Sequence, residues 1–298
     1  KCWCYPCVIQ CGVIMKALID ADVLLYECSS VAEPREAKGT EEAQPLKSFD
    51  FVKEVFDGRV ADILKATQAS SYTLYITGKG NFRFDIAVTQ PYKGKRDEQK
   101  PYHYQNLMAY ITGHENCRVI EGMEADDAMA IDQEVVYEPN EWREFCIDPR
   151  QCNTVICTRD KDLRMVPGWH YGWECGNQPE YRMQFIDPLG WIELSKDRKK
   201  IKGGGLKFFW SQMLTGDRVD NIPGLRGCGP VAAFQALDGC NTEEEMFRAV
   251  QSLYEMEYPI TWEYYMLEQG RLLWMVRELD DDGKPVMWEI PDGGGKEI

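Results

Sequence analysis

Short apolar runs alternate with helix-periodic stretches along most of this chain. Lys16-Ala17-Leu18-Ile19-Asp20 reads as a short buried strand ending on a carboxylate, with Asp22 just beyond. A polar loop rich in Glu, Pro and Lys is predicted from about Ser29 to Lys47. Phe51, Val52, Val55, Phe56, Val60, Ile63 and Leu64 then recur at helical spacing. Tyr72-Thr73-Leu74-Tyr75-Ile76 is β-branched and aromatic, hence a second strand, and it runs into a glycine-rich turn from Thr77 to Arg83. A basic segment, Tyr92-Lys93-Gly94-Lys95-Arg96, precedes a short helix near Tyr104 to Ile111, and Arg118-Val119-Ile120 is a third strand. A loop containing Pro139 and Pro149 leads to a fourth strand, Thr154 to Thr158.

The C-terminal half continues with β-structure from Gly168 to about Leu194, where Trp169, Tyr171 and Trp173 alternate. Such aromatics can stack bases, but a one-faced aromatic strand is more often core packing, which is the preferred reading. Lys196, Arg198, Lys199, Lys200, Lys202 and Lys207 form the densest basic run, with Gly203 to Gly205 as a hinge into a helix from Leu206. Further helices are predicted from about Val231 and after the capping-box spacing Thr242 to Glu245, and Gly293 to Gly295 make a flexible tail.

Strands alternating with helices predict a mainly parallel sheet flanked by helices, in which ligands bind beyond the carboxyl ends of the strands. Carboxylates recur at those ends: Asp20, then Glu124, Asp126 and Asp127 in Glu121-Gly122-Met123-Glu124-Ala125-Asp126-Asp127, then Asp160 and Asp162. Taken alone, acid in the first turn of a helix is ordinary capping. Recurrence at several strand ends changes the reading to a converging site.

Charge and cysteine usage adjust this picture. The net charge of −15, from 34 Lys and Arg against 49 Asp and Glu, argues against nucleic-acid binding by overall charge. It does not argue against an enzyme that concentrates acid at a metal site and base on one surface. Four of the twelve cysteines, Cys2, Cys4, Cys7 and Cys11, crowd the first eleven residues at spacings unlike the common zinc patterns. A simpler reading takes Met15 as the natural start and leaves residues 1–14 outside the fold. No apolar run approaches the roughly 20 residues that span a bilayer.

Two like charges about 4 Å apart repel by roughly 4 kcal/mol at an effective dielectric near 20, so six carboxylates in one crevice need cations or raised pKa values. Oxygen-only ligation suits Mg²⁺ or Mn²⁺ rather than zinc, and His103, His114 and His170 show no metal-ligand spacing. Two such ions can drive phosphodiester hydrolysis, with Lys93 and Arg96 placed to bind the scissile phosphate. Gly227-x-Gly229-Pro230 is a second constellation. Taken alone it reads better as a plain helix–helix turn than as a backbone site for DNA phosphate, and its place ten residues after Asp217 raises the second reading considerably.

The motifs ALIDAD, YKGKR, EGMEADD, ICTRDKDL and LTGDRVDNIPGLRGCGP stand in the order found in the 5′→3′ exonuclease and flap endonuclease superfamily. The chain resembles that superfamily from about Met15 to Leu237, and the short stretch between YKGKR and EGMEADD is more similar to phage exonucleases than to cellular flap endonucleases. The resemblance implies an α/β, PIN-like nuclease domain over residues 15–205, then a helix–three-turn–helix DNA-binding and helical region over residues 206–298. It implies two Mg²⁺ or Mn²⁺ ions, one held by Asp20, Glu124 and Asp126, the other by Asp160, Asp162 and Asp217, with Asp127 and Asp220 in the cluster or behind it. Lys93 and Arg96 would be the catalytic phosphate-handling pair, and Arg83, Lys95, Lys202, Lys207, Gly227 and Gly229 the DNA contacts, with K⁺ at the Gly227–Gly229 hairpin as in relatives.

One departure stands out. Relatives usually carry an Asp after the second strand, where this chain has Gly78; Asp85 is a candidate substitute. The expected activity is 5′→3′ exonucleolytic hydrolysis of duplex DNA at ends and nicks, extending to 5′-flaps and to the RNA of RNA–DNA hybrids, by a cytoplasmic monomer (in the bacterial host, for a phage protein). The alternatives are a non-catalytic DNA-end-binding protein that has lost one metal, and an RNA-cleaving PIN-type nuclease, which normally lacks the LTGDRVDNIPG element.

Overall fold

A computed structural model describes residues 15–34, 44–94, 99–133, 137–140, 143–147 and 149–291. The Cys-rich extension 1–14, Lys95, Arg96 and the Gly293–Gly295 tail lie outside these. The architecture is α/β: a six-stranded, mainly parallel sheet with helices on both faces.

The sheet has the order β3-β2-β1-β6-β7-β8. Its strands are β1 (Met15–Asp20), β2 (Ala69–Thr77), β3 (Cys117–Ile120), β6 (Thr154–Cys157), β7 (Gly168–Gly172) and β8 (Tyr181–Ile186). All neighbours are parallel except β7 and β8. Ala17, Leu18 and Ile19 have no exposed surface, which is why the central strand reads as a continuous apolar run rather than an alternation. Register brings the strand ends together: Asp20 lies opposite Tyr75, Ile19 opposite Cys157, and Thr77 opposite Ile120.

Side chains from one strand divide between two apolar clusters, as the period of two requires. Ala17, Ile19, Leu74, Ile76, Val155 and Cys157 face α1 (Ala21–Ser30), α2 (Phe49–Thr67) and α4 (Tyr104–Thr112). Leu18, Tyr75 and Ile156 face α5 (Ala125–Asp132) and the C-terminal helices α6 (Gly205–Thr215), α7 (Pro230–Leu237), α8 (Glu243–Glu257) and α9 (Trp262–Leu273). Between β2 and α4 lies the single turn α3 (Arg83–Ile86).

Three features differ from the pattern reading. Ala21–Ser30 is a helix that follows β1 without a loop, because Asp20 both ends the strand and caps the helix through Val23 N–H. The segment around Pro139 is a two-stranded hairpin, β4 (Tyr137–Asn140) with β5 (Arg143–Ile147); a strand holding Pro has no place inside a larger sheet. Lys196, Arg198, Lys199 and Lys200 of the basic run form the turn of another hairpin, β9 (Trp191–Leu194) with β10 (Ile201–Gly204), closed by Ser195 N–H to Lys200 C=O at 2.8 Å. Trp169, Tyr171 and Trp173 are buried, as expected of core aromatics.

Candidate active site

The carboxylates are set by the ends of the elements that carry them. Asp20 accepts from Val23 N–H at 3.1 Å and from the Thr158 hydroxyl at 2.6 Å. Asp22, in the first turn of α1, accepts from Thr77 N–H at 3.0 Å. The Thr77 hydroxyl in turn accepts from Ala125 N–H at 2.9 Å, fixing the start of α5 against the end of β2. Glu124 is the N-cap of α5 and Asp126 lies in its first turn. Asp160 follows β6 and accepts from Asp162 N–H at 2.8 Å.

Asp20, Asp22, Glu124, Asp126, Asp160 and Lys93 line one cleft of about 750 Å³ at the carboxyl edge of the sheet. Asp162, Asp217 and Asp220 do not line it but lie close enough to Asp160 to act on its charge. Asp217 sits just past α6, where Gly216 adopts φ +67° and a Cβ would meet the Ile222 carbonyl at 2.3 Å; only glycine fits that turn. Its backbone pairs with Ile222 in both directions, and Val219 N–H donates to its carboxylate at 2.7 Å.

Two lysines and a tyrosine tie the acids together. Lys93 pairs with Glu124, and Lys161 bridges Asp162 (2.9 Å) and Asp217. The Tyr92 hydroxyl lies 2.9 Å from Glu124 and 3.0 Å from Asp220. Lys93 adopts a left-handed φ of +55°, which costs a non-glycine residue about 1–3 kcal/mol; its N–H to the Asp220 carbonyl (2.9 Å) holds it there. Such strain at a lysine aimed into an acidic cleft points to function.

Burial and mutual repulsion shift the acids upward. Burial, then the charge of Asp22, pushes Asp20 up to about 7. Burial, then Asp160, raises Asp162 to about 7 against the pull of Lys161. Asp126 is raised well above the usual range by burial and by Asp20, Asp160 and Glu124. Asp217 behaves differently. Burial pushes its carboxyl up, but the charge and hydrogen bond of Lys161 outweigh burial and leave it below the ordinary value.

One expected site residue is elsewhere, and Asp127 takes the second of the two places expected for it. Arg83 is buried, not a DNA contact: its guanidinium grips Asp127 at 2.6 and 2.8 Å and donates to the carbonyls of Leu272 (3.1 Å) and Trp274 (2.7 Å). Asp127 also accepts from Val276 N–H at 3.0 Å and has no exposed surface, so it stands behind the site rather than in it. Asp85 is exposed on α3 and does not line the cleft. Lys202 is exposed on β10, and Lys207 reaches the Asp238 carbonyl at 3.5 Å. Gly227 has φ +77°, Gly229 caps α7 ahead of Pro230, and both have open space where a Cβ would point. Tyr92 and Lys161 were missed as functional residues, although each sits inside a motif already singled out.

Among the described residues, no group of three or more His, Cys, Asp or Glu side chains is arranged as a ready-made metal site. The donor chemistry nonetheless fits a hard dication. The donors are oxygens alone, no hydrogen-bond partner among the described residues reaches the Asp126 carboxylate, and two lysine ammoniums stand where cations would.

The class defined by this geometry is an α/β protein with an acidic cleft at the carboxyl ends of parallel strands. No family model matches the chain, and no curated protein sequence matches it. Among solved structures it is similar to a bacteriophage T5 protein crystallised with metal ions (13% identity, TM-score 0.46, covering 87% of this chain and 93% of that one). It is similar too to a T5 flap endonuclease in complex with DNA and metal ions (12%, 0.44, 87% and 98%) and to a T5 5′-exonuclease with bound zinc (14%, 0.44, 86% and 94%). Likeness at this level says nothing about residue roles, which rest on the cleft itself.

Proposed function

We propose that the protein is a dication-dependent nuclease that hydrolyses phosphodiester bonds of duplex DNA from 5′ ends, nicks and flaps. The observation that carries this reading is the convergence of Asp20, Glu124, Asp126 and Asp160 on one cleft with Lys93. Asp20, Glu124 and Asp126 would hold one Mg²⁺ or Mn²⁺, and Asp160, Asp162 and Asp217 the other. Held there, such ions would offset the buried negative charge of these carboxylates and would supply Lewis-acid chemistry for phosphodiester hydrolysis. Lys93 would bind the scissile phosphate once released from Glu124, with Arg96 beside it in sequence as its partner. Tyr92 keeps Glu124 and Asp220 in register, and the Arg83–Asp127 pair fixes the first turn of α5 from behind. The open Gly227–Gly229 turn would take duplex backbone, with K⁺ a further ligand there, and the exposed basic β9–β10 turn supplies local positive field in an acidic chain.

Release of nucleotides from 5′-labelled duplex in Mg²⁺ but not in EDTA is expected. Duplex-end binding without any metal-dependent release would favour the non-catalytic alternative. Comparison of blunt, nicked, 5′-flap and RNA–DNA hybrid substrates would order the activities.

A further inference from the structure

The strand order places a gap in the acidic cleft. Along β3-β2-β1-β6, carboxylates follow β3 (Glu124, Asp126), end β1 (Asp20) and follow β6 (Asp160). The strand between the first two, β2, ends at Thr77, is followed by Gly78 and brings none. Position 78 has no room for one: a Cβ there would lie 2.6 Å from Glu121 Oε1 and 2.9 Å from the Ile120 carbonyl. Glu121 itself is exposed, accepts from Lys79 N–H at 2.7 Å, and does not line the cleft.

Asp22 stands over that gap from the neighbouring element. It is the second residue of α1, and Thr77 N–H at 3.0 Å pins its carboxylate to the end of β2. It lines the cleft with Asp20, Glu124 and Asp126, and the Lys93 ammonium occupies the same end on Glu124. We propose that Asp22 is a ligand of the metal held by Asp20, Glu124 and Asp126, supplying from α1 the carboxylate that β2 lacks. Simple capping of α1 does not account for it, because Asp20 already holds that cap. This inference rests on the metal-dependent reading above.

The Asp22→Asn change keeps the size of the side chain and an oxygen able to accept from Thr77, while removing the charge. Mn²⁺ titration by calorimetry on the full chain should show two ions for the natural protein. One of them is expected to bind at least about tenfold more weakly to Asp22→Asn, with Asp85→Asn and Glu121→Gln unchanged. Melting curves supply a readout independent of catalysis. Without metal, Asp22→Asn should melt no lower than the natural protein, since a like charge has left an acidic cluster, and its Mn²⁺-induced rise should shrink. Two ions bound to Asp22→Asn with natural affinity would overturn this inference alone. So would a metal-free melting temperature that falls, the mark of a structural role. A natural protein that binds no Mn²⁺ would overturn the metal-dependent reading and this inference with it.

Discussion

The two halves of the acidic site handle the same problem differently. On the β1–β3 side, Asp20, Asp22, Glu124 and Asp126 share one lysine, Lys93, which pairs with Glu124 and leaves Asp126 unsatisfied among the described residues. On the β6–α6 side, Lys161 spans Asp162 and Asp217, and Gln212 donates to Asp162 as well. Asp217 is therefore held below the usual carboxylate range, while Asp20 in the other half, and Asp162 on the same lysine, are pushed to about 7. Crowded carboxylates persist either by taking a local cation or by holding protons. The carboxylates that hold protons, Asp20 in one half and Asp162 in the other, have the greater need of an external dication.

Removing the residue where the halves meet should have the largest effect. Asp160→Ala is expected to lower cleavage of labelled duplex by at least about 10³-fold, roughly 4 kcal/mol in the barrier, with duplex binding retained. Equal cleavage by the variant would mean that the halves do not form one site. Next in size is the support behind the β1–β3 half. Arg83→Met leaves Asp127 buried and unpaired, and should cost about 3–5 kcal/mol in denaturant unfolding. A cost under about 1 kcal/mol would contradict the role given to this pair.

Proton holding has a measurable sign. Asp20 and Asp162 have folded values near 7 against an ordinary 3.8. Between about pH 4 and 7 the folded state therefore binds more protons than the unfolded chain, and metal-free stability should fall as pH rises through that window, by a few kcal/mol. Saturating Mg²⁺ should flatten the slope. Flat metal-free unfolding between pH 4 and 7 would show that these carboxylates are already compensated. The smallest effect is expected at Lys161, whose side chain is 48% exposed. Lys161→Met should destabilise the metal-free protein by only about 1 kcal/mol, and should bring Asp217 closer to the behaviour of Asp20.

Much of this was legible in the sequence, for local reasons. Asp20, Glu124, Asp126 and Asp160 lie at or just past the ends of apolar runs, and in a parallel sheet those ends converge whatever the details of packing. The helices at 49–67 and 205–215 announce themselves by apolar period. What escaped depends on distant partners or on missing punctuation. Arg83 looks like any basic residue after a glycine turn; its burial follows from carbonyls at Leu272 and Trp274, some 190 positions away. Ala21–Ser30 hid because no glycine, proline or loop separates it from β1. Pro139 disguised a hairpin that, among the described residues, pairs only with itself. The Gly78 departure was visible at once, but Asp22 covers β2 only through a hydrogen bond across 55 positions, which spacing alone does not reveal.

The central claim is that the two halves together form a dication site whose carboxylates hold protons until metal arrives. Calorimetric titration of Mn²⁺ near pH 6.5, repeated in buffers of different ionisation enthalpy, tests it most directly. Two ions per chain are expected, with release of about one proton or more. Binding without proton release, or no binding at all, would contradict it.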